Sequence, residues 1–597
     1  MQAAVAVSFI LNYQKAFMNL RGVELTTHKY PEQATVNDSV AFDYIIVGGG
    51  TAGIVIASRL AQVKGNRVLL VEAGGNPPIE SNIPSTLIYL EKSQKDWKFP
   101  VENDNVNQKC SKSQKFGLQG KMLGGTSCLN YLHYEQGSYK DYDRWAEIVG
   151  DPSWNFTNIQ PYIKKSENFE DSDISNSTER TNFGKGGPVT ITKESHCEVN
   201  DYLSAFGELG YKVVPELSAA NPTGYAPQLY NIGNYKRQCT AENYLYKAKD
   251  WPNLFVLKNA LVTKIIFDKN NNAVAVEMRT ENRVNRVDAR KEVIICAGAI
   301  NSPKLLMLSG IGPKEHLKKL NINVIQDLPV GKNLQDRAGV LLVYDMRKLS
   351  TSPVSPNIGV YPAYVFTGQV SENPHSPDYK TLHYVNYPMN FVFYCTFTYD
   401  YSDEVCDRLF GTNADNQFLF TFVSTLKPKS RGEVMLRSRD YSDPPLIYPK
   451  YLSNKEDIEG LVKNVMNFLK INETKFFKNA DAVFVDPKLK TCKHLKFGSF
   501  EYWECFVRCM ATAERSYCGT SAMGSVVDSR LRVKGVKRLR VADSSVMPEI
   551  TSGATLSPTL TIAEKAADMI KEDYNYVDDD GREIGPENEK CEKESHC

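Results

Sequence analysis

The sequence predicts an α/β (α+β) chain of two domains, in which a βαβ unit at the front is completed by pieces scattered far along the chain. Three observations predict it. A strand, a glycine-rich turn, a helix and a second strand follow one another directly in "DYIIVGGGTAGIVIASRL" (Asp43–Leu60) and "RVLLVEAGG" (Arg67–Gly75). Similar strand–turn–helix pieces recur near residues 293–313 and 539–570, separated by long stretches of other character. The chain has 597 residues, 42% hydrophobic and 24% charged, which is enough for two sizeable cores.

The front unit has the pattern of a dinucleotide site. Tyr44–Val47 reads as a buried strand, and the helix begins near Thr51. Between them, Gly48 makes the tight turn, Gly50 lets a pyrophosphate approach the backbone, and Gly53 lets helix and strand pack closely. The second strand ends in Glu72, whose carboxylate suits a ribose 2′-hydroxyl and disfavours a 2′-phosphate. FAD or NAD is therefore expected rather than NADP.

The next elements are a second glycine cluster, "GKMLGGTSCLN" (Gly120–Asn130), and "VIICAGAINSPKLLMLSGIGP" (Val293–Pro313), a strand, a small-residue turn and an apolar helix ended by Gly310. "RSYCGTSAMG" (Arg515–Gly524) reads as a turn. "VVDSRLRV" (Val526–Val533) and "LRVADSSVMP" (Leu539–Pro548) read as strands, the second ending in Asp543. "SGATLSPTLTIAEKAADMI" (Ser552–Ile570) predicts a long helix with Ser557 as its N-cap and Pro558 in its first turn. The pieces are spaced as in a nucleotide-binding domain interrupted by inserted substrate-binding segments.

These stretches resemble the glucose–methanol–choline (GMC) family of FAD-dependent oxidoreductases, most closely the secreted insect-type branch. The resemblance runs from about Phe42 to Ile570 and includes "DLPVGKNLQD" (Asp327–Asp336) and "WPNLFVLKNALVTKIIFD" (Trp251–Asp268). It implies a Rossmann-like FAD-binding domain from 41–149, 241–344 and 511–574. It also implies an interleaved substrate-binding domain on an antiparallel sheet, from 150–240 and 345–510. Residues 1–40 form an N-terminal segment and 575–597 a polar tail. By the resemblance Glu72 holds the adenosine ribose and Val262 flanks the adenine. Gly48, Gly50 and Gly53 cradle the pyrophosphate with Asp543 nearby, and Gly124, Gly125, Thr126 and Asn130 lie against the flavin. Thr555 is a further cofactor-binding residue, and the helix starting near Pro558 points its positive end at the flavin edge that becomes negative on reduction. Some relatives attach FAD through a histidine in the second glycine cluster; Leu129 stands there, so non-covalent FAD is implied.

The resemblance also marks two departures. Family members that dehydrogenate alcohols carry a histidine base opening an H-P-V-G-T-like turn and a His or Asn opening an N-T-N-A-P-like segment. Those positions are Ser516 and Ala554, with Leu556 replacing the next Asn, while Gly519, Thr520, Met523 and Gly524 still match. A serine hydroxyl is a poor proton acceptor and an alanine carries no polar group. Losing a positioned base forfeits about 10²–10⁴ in rate. Tyr517 and Cys518 add an aromatic ring and a thiol. Of eight histidines, His133 in "NYLHYEQG" is the one placed near the site by sequence; the alternative is a packed strand residue pointing away. Glu514 and Glu549 flank the altered turns, and Tyr131, Tyr517 and Cys518 are further proton-carrying candidates.

Three readings follow. The first is a non-redox isomerase, cyclase or lyase acting on a small alcohol or carbonyl compound beside a retained FAD, with Ser516 or Tyr517 donating to a developing enolate oxygen. The second is an alcohol oxidase or dehydrogenase using another base. The third is a catalytically silent binding protein. The partner in each is a small molecule. A net charge of +1 gives no reason to invoke nucleic acid or an anionic membrane, and no apolar run is long enough for a spanning helix.

Thirteen cysteines and four Asn-X-Ser/Thr sequons, at Asn37, Asn155, Asn176 and Asn472, favour a secreted, disulfide-bonded glycoprotein. Ala3–Leu11 has the length of a signal core but no basic residue before it, and a frayed amphipathic segment is the alternative. An odd cysteine count leaves at least one thiol free or intermolecular. Cys505 and Cys509, four apart on one predicted helix, are expected to pair elsewhere or stay reduced. No Cys/His spacing suits zinc. Oligomeric state is not encoded in any pattern here.

Overall fold

Strand Ala41–Val47 is apolar except at Asp43, which accepts the Arg67 amide at 2.8 Å, because both its edges and both its faces are covered. It lies between Val68–Val71 and the twelve-residue strand Val284–Ile295, parallel to both, with Val47 opposite Val71 and Ile295. In the computed structural model, residues 30–36, 40–102, 110, 115–170, 182–194, 196–281, 283–349, 364–371, 376–411 and 416–576 are described. The expected signal segment, the tail beyond Tyr576 and the sequons at Asn37 and Asn176 lie outside them.

The first sheet runs Leu254–Leu257, Val68–Val71, Ala41–Val47, Val284–Ile295, Ala273–Arg279, Leu261–Phe267, with Leu539–Val541 also on Val284–Ile295. The long strand does double duty. Its first half pairs antiparallel with Ala273–Arg279, and its second half pairs parallel with Ala41–Val47 and Leu539–Val541. The scattered pieces of sequence thus converge on one sheet. Helix Thr51–Ala61 packs on it beside the C-terminal helix Leu556–Asp573, and Arg59 joins the two by donating to both carboxylate oxygens of the buried Glu564, at 2.8 and 3.0 Å.

The second large sheet is antiparallel along its main path: Ala482–Phe484, Ala338–Met346, Gln417–Thr425, Tyr379–Asn386, Tyr364–Val370 and Gly224–Pro227. Its two faces differ, as strand alternation requires. On Tyr379–Asn386, His383 turns towards helix Lys455–Leu469, stacking on Phe366 at 4.3 Å and lying 5.6 Å from Phe468. Lys380, Leu382 and Tyr384 turn the other way, into the cavity described below.

Four disulfides join Cys110–Cys509, Cys128–Cys239, Cys395–Cys406 and Cys492–Cys505. Cys505 and Cys509 therefore each pair elsewhere. Among the described residues Cys197, Cys296 and Cys518 are free.

Two local expectations are corrected. Val526–Val533 is no strand: Asp528 folds it into a turn by accepting the amides of Arg530 and Arg532, leaving only isolated bridges. The last helix begins at Leu556, so its N-cap is Thr555 rather than Ser557. Ser557 is buried within the first turn, where its hydroxyl accepts from Tyr134 at 3.1 Å.

Candidate active site and cofactor cavity

A cavity of about 940 Å³ runs from the carboxyl ends of the first sheet to the inner face of the second. Gly48, Gly50, Glu72, Gly125, Thr126, Asn130, Val262, Asp543 and Thr555 line it, so residues spread over some five hundred positions meet on one wall. Gly53 and Gly124 do not line it. A Cβ on Gly53 would lie 1.9 Å from the Gly48 carbonyl oxygen, so its role is close helix–strand packing. Gly124, at φ +87°, is packed against the Cys128–Cys239 disulfide, where a Cβ would meet Cys128 Sγ at 2.2 Å.

The wall fits a dinucleotide. A Cβ on Gly50 would meet nothing nearer than Gly125 Cα at 3.9 Å, so the backbone there faces open space. Helices Thr51–Ala61 and Leu556–Asp573 both start at this cavity, and neither has a side-chain N-cap bond. Two sets of first-turn N–H groups are thus offered to an electron-rich ligand. Glu72 accepts the amides of Gly49 and Gly74 at 2.8 and 2.7 Å, and burial pushes its carboxyl up to about 7. Asp543 accepts from Gly298 N–H and the Ser302 hydroxyl, at 2.8 and 2.6 Å, tying down the start of helix Gly298–Leu308. Asn130 is held by Arg237, which donates to its side-chain oxygen at 2.5 Å. Leu129 is fully buried in the core.

Ser516, Tyr517, Ala554 and His133 line the same cavity. The turn bearing the first two hangs from Asp336, which accepts the amides of Arg515 and Ser516 at 3.1 and 2.7 Å and the Tyr451 hydroxyl at 2.5 Å. Burial pushes the Asp336 carboxyl up to about 6. Tyr517 is 4% exposed; its ring packs among Phe99, Leu334 and Ile447, and its hydroxyl is hydrogen-bonded to Tyr451. Cys518 is buried, which pushes its thiol up to about 12 and leaves it inert.

His133 lines the cavity and is at the same time packed in place, 8% exposed. It bridges to Tyr230 in an isolated β-pairing, and its Nε2 lies 2.7 Å from the Tyr384 hydroxyl. Burial, with Lys380 nearby, holds its pKa well below the usual histidine value, so the imidazole is neutral near pH 7. Of the flanking acids, Glu549 sits at the surface beside Arg144, at 3.5 Å. Glu514 turns inward, ion-paired at 2.5 Å with the fully buried Arg337; against the cost of burial, Arg337 and Lys380 hold its carboxyl below the usual range. The Tyr131 hydroxyl donates to Glu91.

Sequence reasoning missed Glu135 and Lys380. Glu135 lies against the turn before the last helix, where its Oε2 accepts the Ala554 amide at 2.5 Å. Only glycine fits at 553, at φ +118°, because a Cβ there would come within 2.8 Å of the Glu135 side chain. Lys380 Nζ is 2.5 Å from Glu135 Oε1. The alternation of Lys380, Leu382 and Tyr384 with Thr381, His383 and Val385 was the available signal for an inward-facing lysine.

A family model described as GMC oxidoreductase matches residues 42–338 and 428–563 in its N- and C-terminal parts. The chain is 36% identical to an ecdysone oxidase of Bombyx mori over 571 residues, covering 92% of this chain and 85% of that protein. It is 33% identical to a glucose dehydrogenase [FAD, quinone] of Drosophila melanogaster, covering 89% and 87%. Among solved structures, pyridoxine 4-oxidase from Mesorbium loti superposes with a TM-score of 0.76 at 25% identity, over 90% of this chain and all of that one. A formate oxidase of Aspergillus oryzae gives 0.75 at 26% identity, over 90% and 99%.

Proposed function

The chain belongs to the GMC oxidoreductase family, whose members bind FAD, and we propose that it uses its FAD-bound cavity for a non-redox step on a small carbonyl compound, an isomerisation, cyclisation or cleavage. The observation that carries this reading is the pair Ser516 and Ala554, which line one cavity and offer no side chain basic enough to act as a general base. Bound there non-covalently, FAD supplies a hydride acceptor to a redox reaction and a rigid polar wall to a non-redox one.

The chain's own groups suit a carbonyl. The first turn of helix Leu556–Asp573 and the Ser516 hydroxyl offer donors to an oxygen that becomes negative as a proton leaves the neighbouring carbon. The neutral His133 imidazole, next to Tyr384, takes that proton and returns it elsewhere on the carbon frame. Tyr517 is left out of this role, because its hydroxyl is engaged by Tyr451. The aromatic and apolar wall, with Leu382, Tyr384, Tyr399 and Phe422, suits a largely apolar substrate.

One observation favours a second reading, alcohol oxidation. His133 is neutral, buried and in the cavity, and so is able to accept a hydroxyl proton in place of the missing base. The two readings separate when the oxidised holoenzyme is mixed anaerobically with a panel of small alcohols. A non-redox enzyme shows no rapid bleaching of the flavin; rapid bleaching that His133→Gln abolishes supports the oxidase instead.

Four disulfides among the described residues support a secreted protein. Asn472 is exposed and Asn155 half-buried, which keeps both compatible with glycosylation. No helix among the described residues is long and apolar enough to cross a membrane.

A further inference from the structure

Lys380 is 4% exposed and sits mid-strand, opposite Ser424 in the second sheet, yet it lines the cavity. Burying an ammonium this deeply is costly unless acceptors surround it. Among the described residues its one close acceptor is Glu135, 2.5 Å away. An ammonium carries three N–H donors, so a single carboxylate contact leaves donors directed at the cavity. The neighbouring groups fix where that charge lies. Glu135 spans from Lys380 to the amide of Ala554. Ser424, opposite Lys380, donates to Glu514 at 3.0 Å, and Glu514 is itself held by Arg337. His133 and Glu514 both feel the Lys380 charge. The ammonium is therefore anchored beside the position that lacks a side-chain partner, with Glu135 as its tether.

We propose that Lys380 is the cation of an oxyanion-binding site, taking the enolate, alkoxide or phenolate oxygen of a small ligand held between the second sheet and the turn at Ala554. The oxygen replaces the missing acceptors of the ammonium. Glu135 is a positioning residue, keeping Nζ directed past Ala554 rather than touching the ligand. The site is the same whether the ligand is then isomerised or oxidised, because both reactions pass through a negatively charged oxygen.

The test uses the FAD holoenzyme and 4-nitrophenol, a probe whose phenolate alone is yellow, so that its ionisation is read without any turnover. The wild type is expected to bind it as the phenolate, with an apparent pKa about 1–3 below that in water, as a neighbouring cation dictates. K380M removes an ion-pair partner from a buried Glu135, so the compensated K380M/E135Q protein is compared with it, both checked for retained flavin absorbance. Both variants are expected to bind the probe only as the neutral phenol, and K380R to keep the phenolate. Absence of binding to the wild type, binding as neutral phenol, or equal ionisation in wild type and K380M/E135Q overturns the assignment. None of these outcomes depends on whether alcohols bleach the flavin, so the site and the reaction type fail separately.

Discussion

The amide of Ala554 donates to Oε2 of Glu135 at 2.5 Å, so a carboxylate lies against the turn that leads into the last helix. Installing a histidine and an asparagine at Ser516 and Ala554 tests whether the proposed change of task is local. Ser516→His with Ala554→Asn is expected to gain alcohol oxidation by about 10²-fold or more over the parent, read as anaerobic flavin bleaching. An unchanged rate with a normal flavin spectrum contradicts a local lesion.

The two glycines of the first turn are expected to fail differently. Gly53→Ala places a methyl 1.9 Å from a backbone oxygen and costs about 1–3 kcal/mol or more of stability. At Gly50, where φ is −83° and a Cβ meets nothing nearer than Gly125 Cα at 3.9 Å, Gly50→Val leaves the apoprotein's melting temperature nearly unchanged. It lowers flavin retention instead. Thermal unfolding of the apoproteins and the ratio of flavin to protein absorbance separate the two effects.

Asp336 holds two successive amides and a tyrosine hydroxyl. Asp336→Ala orphans all three, at about 1–3 kcal/mol for each donor that water does not reach. The melting temperature is expected to fall clearly, with Asp336→Asn falling less because one oxygen acceptor remains. Equal effects contradict the network.

Glu72 gives a pH dependence with a definite sign. Burial raises its carboxyl from 4.5 to about 7, so the folded apoprotein keeps a proton that the unfolded chain releases. Its contribution to stability is fully present below about 4.5 and lost as pH rises through about 7. Relative to Glu72→Gln, the wild-type apoprotein is expected to lose stability across that window in denaturant titrations. Parallel curves for the two proteins contradict the raised value.

Local patterning made the first βαβ unit legible, because Gly48, Gly50, Gly53 and Glu72 act within thirty residues of one another. The helix start at Leu556 was misplaced by two residues, since a serine before a proline mimics a cap while Ser557 in fact serves Tyr134. The altered turn was visible only through the resemblance. What faces it was not: Lys380, on a strand of the second sheet, and Glu135, on a loop outside it, are 245 positions apart and meet only in the fold, which no local periodicity encodes. His133 looked like a packed strand residue because a bridge to Tyr230 does hold it, yet it also lines the cavity with its Nε2 on Tyr384.

Rearrangement of a carbonyl compound in the cavity without net electron transfer is tested most directly by turning over a panel of small aldehydes and dialdehydes with the oxidised holoenzyme in D₂O without oxygen. Flavin absorbance and product mass are followed together. The expected result is a product isomeric with its substrate, or fragments that sum to it, carrying solvent deuterium while the flavin stays oxidised. A product lighter by two hydrogens, formed in step with flavin bleaching, contradicts it.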